Sequence, residues 1–163
     1  MSKIGIWLIN KDLRIENNIL VQALNDCDSV LPVFVWDEKL RRSSSDSKIA
    51  SFYREALNNL SKELDNLNGQ ILIKLGDSEA VLDHLKSKYS VCSIYTQFDV
   101  DPGHREFIKN ISKKFEVKLL NTSYLSDLNK TLKDDGTPYL TFSSFSRAWF
   151  RNEFDIQHEI TPT

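Results

Sequence analysis

Apolar residues fall along this chain in two alternating patterns. Ile4-Gly5-Ile6-Trp7-Leu8-Ile9 is an unbroken apolar run, too short for a helix and rich in β-branched and aromatic residues. Such a run reads as a strand buried on both faces, as in the middle of a parallel sheet. It stops at a polar cluster, Asn10-Lys11-Asp12-Leu13-Arg14, and Asn17-Asn18 then offers a cap to a helix through Ile19 and Leu24. The same alternation recurs down the chain. Ser29 to Trp36 reads as a second strand, with Pro32 near its start, where a missing donor is tolerated. Arg41 to Ser47, with three consecutive serines, reads as loop. Ile49, Phe52, Tyr53, Ala56, Leu57, Leu60, Leu64 and Leu67 then repeat at helical spacing, and Asn68-Gly69 closes that helix in C-cap fashion.

Gln70 to Leu75, Val91 to Thr96 and Glu116 to Leu120 supply three more strands. Asp77 or Ser78 caps the helix between the first two, whose inner face is Val81, Leu82 and Leu85. Phe107, Ile108, Ile111 and Phe115 mark a helix between the last two, started by Asp101-Pro102. Strands alternating with helices imply right-handed crossovers. The expectation is therefore an α/β fold: a five-stranded parallel sheet in a three-layer sandwich, of Rossmann-like or flavodoxin-like order.

Beyond Leu120 the rhythm breaks. Lys133 to Pro138 reads as a turn, and Ser143 or Ser144 is placed to cap a last helix containing Phe145 and Trp149. Tyr139, Phe142, Phe145 and Trp149 are many aromatics for a chain end, so most are expected to be packed. Residues 1–150 are read as one α/β domain and 151–163 as a linker or tail.

Composition narrows the function. A net charge of −2, with no basic run longer than Arg41-Arg42 or Lys113-Lys114, does not describe a phosphate-neutralising surface. Strong DNA binding is not expected. The two cysteines, Cys27 and Cys92, form no motif, and no metal site is expected. Ile4–Ile9 is too short for a membrane span or a signal sequence, so the default is a cytoplasmic protein. The five glycines are scattered singly, leaving no G-x-G-x-x-G and no Walker loop. Of the three histidines only His104 is placed near a site, and a helix start explains it as well.

Three polar segments carry what chemistry there is: Asn10 to Arg14, Trp36-Asp37, and Asp99 to Arg105. Each alone reads as a solvated turn or a helix start. Together they occupy the carboxyl ends of strands one, two and four, where ligands bind in open α/β sheets.

With those segments in view, the sequence resembles the N-terminal α/β domain of the DNA photolyase/cryptochrome family. The opening pattern R-R-D-L-R-L-x-D-N-x-x-L is similar to Asn10-Lys11-Asp12-Leu13-Arg14-Ile15-Glu16-Asn17-Asn18-Ile19-Leu20. V-x-P-V-F-x-x-D stands as Val30 to Asp37, and a Gly-Asp turn follows strand three as Gly76-Asp77. D-x-E-P-x-x-R corresponds to Asp99, Asp101, Pro102 and Arg105. G-x-P-Y-x-x-F-x-x-F-x-x-x-W corresponds to Gly136, Pro138, Tyr139, Phe142, Phe145 and Trp149. Two departures stand out: Asn10 and Lys11 replace the two arginines, so a point charge stands where the family has a planar fork.

The resemblance implies a light-harvesting antenna domain that holds FMN, a deazaflavin or methenyltetrahydrofolate. The family's lyase chemistry, dimer splitting by excited FADH⁻, belongs to a separate helical FAD-binding domain. That partner is expected to be absent from this chain or encoded elsewhere, so no FAD and no repair are expected of the chain alone. The pocket residues it implies are Asn10 and Lys11 for polar groups or phosphate, and Trp36 and Phe98 for stacking. Asp37, Lys48, Asp99 and Asp101 complete it as hydrogen-bonding or charged groups. Two other readings stay open: a stand-alone adenine-nucleotide-binding domain of stress-protein type, and a ligand-free module docking a helical partner.

Overall fold

A computed structural model of the chain describes residues 2–43, 47–122, 124 and 128–152. Five strands, β1 (Ile4–Ile9), β2 (Ser29–Trp36), β3 (Leu72–Leu75), β4 (Val91–Gln97) and β5 (Glu116–Leu120), form one sheet in the order β3-β2-β1-β4-β5. Each neighbouring pair is parallel. The order reverses between β1 and β4, the arrangement in which doubly wound sheets open a crevice at their carboxyl ends. Pro32 pairs only with Trp7 of β1, because β3 begins its ladder one residue later at Val33. Its missing N–H therefore leaves no gap in the sheet.

The helices are α1 (Asn18–Asp26), α2 (Glu38–Ser43), α3 (Ser47–Asn66), α4 (Ser78–Lys88) and α5 (Pro102–Ile111). Strand residues alternate between two cores, as the pleat requires. Ile6, Leu8, Val33, Val35 and Ile94 pack with Leu82 and Leu85 of α4 and Ile108 and Ile111 of α5. Trp7, Ile9, Phe34 and Tyr95 pack on the other face with Ile19, Leu20 and Ala23 of α1 and Leu57, Leu60 and Leu64 of α3. Burying a side chain of this size contributes about 1.5–3 kcal/mol. These two layers account for the continuous apolar character of β1.

Local signals set the helix ends. Asn17 accepts from the Leu20 N–H at 2.9 Å, Asp77 from Ala80 at 2.8 Å and Asp101 from His104 at 3.0 Å. At the end of α3, Gly69 N–H donates to Leu64 and Asn68 N–H to Asp65, at 2.8 and 3.0 Å. It is Asn68 that takes the left-handed conformation, at φ 58°. This is a Schellman closure with asparagine in the position glycine usually fills.

The expected loop from Arg41 to Ser47 is corrected in part. Arg41 lies within α2, its N–H donating to the Asp37 carbonyl at 2.8 Å and its guanidinium forking onto Glu38, and α3 already begins at Ser47. Residues 44–46 of that stretch lie outside the described residues. Composition suggested a loop because serine is a poor helix former, but an aspartate cap and an i,i+3 ion pair support the turn before it.

The chain divides into two compact units: residues 1–122 with 159–163, and residues 123–158. The second contains a 3-10 turn (Leu128–Thr131) and α6 (Phe142–Trp149), tied by a 2.8 Å bond from Asn152 to Thr131. Helix α6 is entered two or three residues before the expected serine caps, at a Thr141 that makes no side-chain capping bond. None of its residues is buried, and Phe142 is 81% exposed. Of the four aromatics expected to be mostly packed, Tyr139, Phe145 and Trp149 are half-buried and Phe142 is exposed. The linker expected over 151–163 lies almost wholly outside the described residues.

Candidate functional site

A crevice of about 1170 Å³ opens at the carboxyl edge of the sheet, within the first unit. The right-handed β-α connections bring each strand end, and the start of the helix after it, to this same edge. From β1 come Ile9, Asn10 and Lys11; from β2 and α2 come Trp36, Asp37 and Leu40. The turn after β3 gives Gly76, Asp77 and Glu79, and the end of β4 with α5 gives Thr96, Asp99, Asp101 and His104.

One wall is aromatic. Phe34, Trp36 and Tyr53 form a triangle with ring centroids 5.9–6.0 Å apart, Trp36 meeting both neighbours edge-on. Phe34 is buried, whereas Trp36 and Tyr53 keep part of their surface towards the crevice. Edge-to-face contacts of this kind fix ring orientation and present a rigid apolar surface.

The opposite wall is polar. Lys11 forms an ion pair with Asp99, whose side chain is 7% exposed. Burial pushes the Asp99 carboxyl up, but the Lys11 ammonium and the Asp101 N–H, 3.0 Å away, outweigh it and hold it below the usual carboxylate range. His104 lies between Asn10 and the Gln97 carbonyl, at 3.4 and 3.0 Å. A carbonyl can only accept, so Nε2 carries the proton and Nδ1 accepts from the Asn10 amide. Burial of the ring pulls the His104 pKa below its ordinary value, against the pull of the Gln97 carbonyl and of Asp99. The imidazole is therefore neutral and structural at pH 7. Arg14 is turned to Asp12 at 2.9 Å, so part of the first loop does pair locally.

Of the expected pocket residues, Asn10, Lys11, Trp36, Asp37, Asp99 and Asp101 line this crevice. Lys48 and Phe98 are not in its lining. Lys48 is exposed on the first turn of α3, displaced from the strand end by α2. The Phe98 N–H donates to Leu120 at 2.8 Å, carrying the β4–β5 ladder one residue onward. Sequence reasoning missed Phe34, Tyr53, and the Gly76–Glu79 turn as lining. The last was readable as a helix start, but only the sheet order shows that β3 ends beside β2.

Among the described residues no group of His, Cys, Asp and Glu could hold a metal ion, and no helix is long and apolar enough to cross a membrane. The donor set suits an organic ring instead: aromatic surface on one side, with carboxylates and amides on the other.

The crevice lies at the carboxyl edge of a parallel α/β sheet, the edge where open sheets of this kind bind ligands. The DNA photolyase family model matches residues 5–162, and the chain belongs to that family. Over 102 residues it is 31% identical to the blue-light photoreceptor PHR2 of Arabidopsis thaliana, covering 58% of this chain and 23% of that protein. Its fold superposes on a class III photolyase from Agrobacterium tumefaciens with a TM-score of 0.80 at 21% identity, over 94% of this chain and 33% of the other. An archaeal photolyase from Sulfolobus tokodaii, solved with two FAD molecules and described as implying a novel light-harvesting cofactor, matches with a TM-score of 0.75. Identity there is 25%, over 93% of this chain and 35% of that one. The chain thus spans about a quarter to a third of the length of these relatives.

Proposed function

We propose that this chain is the antenna-chromophore-binding part of a photolyase/cryptochrome-family system, with the crevice as its chromophore site. The observation that carries the reading is the pairing of a rigid aromatic wall with a few fixed polar groups, at the carboxyl edge of the sheet. Trp36 and Tyr53 give a flat conjugated ring its apolar contact, while Asn10, Asp37 and Asp99 meet the polar edge. When bound, the chromophore supplies absorption of blue or near-ultraviolet light and energy transfer to a flavin. The chain's own residues bind it, orient it and exclude water from one face. Repair chemistry and FAD are assigned to a helical partner domain.

Titration of FMN, a deazaflavin, a reduced folate and ATP, read by visible absorbance and tryptophan quenching, tests this. Saturable binding of a chromophore that quenches Trp36 supports it. Micromolar ATP binding with silence from every chromophore would transfer the site to a nucleotide-binding reading, and silence from all ligands would leave a docking module. Two corollaries follow from the same reading. The chain alone should split no pyrimidine dimers under blue light. With a net charge of −2 it should bind DNA no better than non-specific affinities of roughly 10⁻⁴ M at physiological salt.

A further inference from the structure

The crevice is ringed by helix N-termini, which ordinarily make good anion sites because their N–H groups and dipole favour phosphate. Here an aspartate of the chain already caps three of them. Asp37 accepts from the Leu40 N–H at 2.7 Å, Asp77 from Ala80 at 2.8 Å and Asp101 from His104 at 3.0 Å. All three aspartates line the crevice. Glu38, Glu79 and Asp99 line it too, so six carboxylates face two cationic side chains among the described lining residues. Both cations are engaged with acids. Lys11 pairs with Asp99, and Arg41 forks onto Glu38 at 2.9 Å through Nε and Nη2. His104 adds no charge, because burial favours the neutral ring and its Nδ1 accepts from the Asn10 amide.

We infer that the crevice selects an uncharged conjugated heterocycle bearing N–H or O–H donors, and discriminates against rings that carry a phosphate or glutamyl tail. This rests on the chromophore reading above and refines it. A phosphate entering here meets capped N–H groups and a field of like charge. A neutral ring meets the same carboxylates as acceptors for its donors. Lys11, expected together with Asn10 to meet polar groups or a phosphate, is held by Asp99 instead.

Two ligand series that keep the ring and vary the tail provide the test on the intact chain. Riboflavin, FMN and FAD form one; a tetrahydropterin and its folate conjugate form the other. In whichever series binds, the tail-free member should bind more tightly, by about tenfold or more at low salt. The gap should narrow as salt is raised, since charges at an open cleft are screened. The Asp37→Asn plus Asp77→Asn double variant keeps a capping oxygen at both helices while removing two charges, and should shrink the preference several-fold. Glu79→Gln, which alters no cap, should shrink it less. If FMN or FAD binds as tightly as riboflavin, or folate as tightly as the pterin, the inference is overturned and the chromophore reading stands. If no ring from either series binds, the inference is overturned, and if a deazaflavin also fails, the chromophore reading falls with it.

Discussion

The two ends of the sheet hold similar side chains and come out as opposites. At the amino end the polar groups close on one another. Asp26, at the end of α1, accepts from Tyr95 at 3.0 Å, from Gln22 at 3.0 Å and from Lys118 at 2.8 Å. Lys118 also lies 5.3 Å over the Tyr95 ring. Cys27 is 3.5 Å from both Cys92 and the Tyr95 hydroxyl, and Gly5 packs so closely that a Cβ there would come within 2.8 Å of the Cys27 sulfur. Burial and these neighbours push the Tyr95 hydroxyl pKa far above its usual value. At the carboxyl end the acids face a crevice instead. Topology explains the contrast: parallel crossovers send the N-termini of the helices that directly follow β2, β3 and β4, and hence the caps Asp37, Asp77 and Asp101, to the carboxyl edge. One end is therefore filled by the chain's own groups and the other opens as the crevice.

If that division is correct, substitutions at the closed end should cost stability and leave ring binding alone, and those at the crevice should do the reverse. The largest effect is expected from Tyr95→Ala. Removing a fully buried ring should cost about 3–5 kcal/mol in denaturant melts, with unchanged riboflavin affinity for the folded fraction. A melt close to that of the wild type would show that the amino end is not a packed core. Gly5→Ala should cost about 1–3 kcal/mol by overpacking against Cys27 and Tyr95, and should again spare the crevice. Trp36→Ala tests the other side. It should weaken ring binding by about two- to tenfold, the worth of an aromatic contact beyond its area, while lowering stability less than Tyr95→Ala does.

The smallest effect concerns pH. Burial holds the His104 pKa below 6.5, so the unfolded chain takes up that proton first, and stability should fall as pH drops below 6.5. His104→Gln should flatten this limb in a series of thermal melts. Asp99 behaves differently: its folded-state pKa is below 3.8, so its contribution persists through that range and is lost only as pH falls beneath 3.8. An unaltered pH profile in His104→Gln would mean that the imidazole is solvated rather than held between Asn10 and Gln97.

Much of the fold is written locally. The apolar runs of β1, β2 and β4 match strands whose two faces are both covered, and period-3.6 patterns mark α3 and α5. Asn17, Asp77 and Asp101 announce helix starts with a side-chain oxygen and a spacing of three residues. The helix-start reading of Asp101 and its reading as crevice lining both describe the same side chain. A cap uses one carboxylate oxygen, and the charge still faces outward.

What the sequence by itself determined was the kind and sequence of elements, because periodicity and capping are nearest-neighbour properties. It also indicated that the strand ends after β1, β2 and β4 would face one opening. Only the tertiary structure decided which of the two doubly wound orders is adopted, since strand order depends on which edges meet, hundreds of atoms apart. It alone brought Phe34 and Tyr53 beside Trp36, and the Gly76–Glu79 turn beside Asp37. It turned Lys11 onto Asp99, an outcome set by the relative placement of the ends of β1 and β4 that no window of sequence encodes.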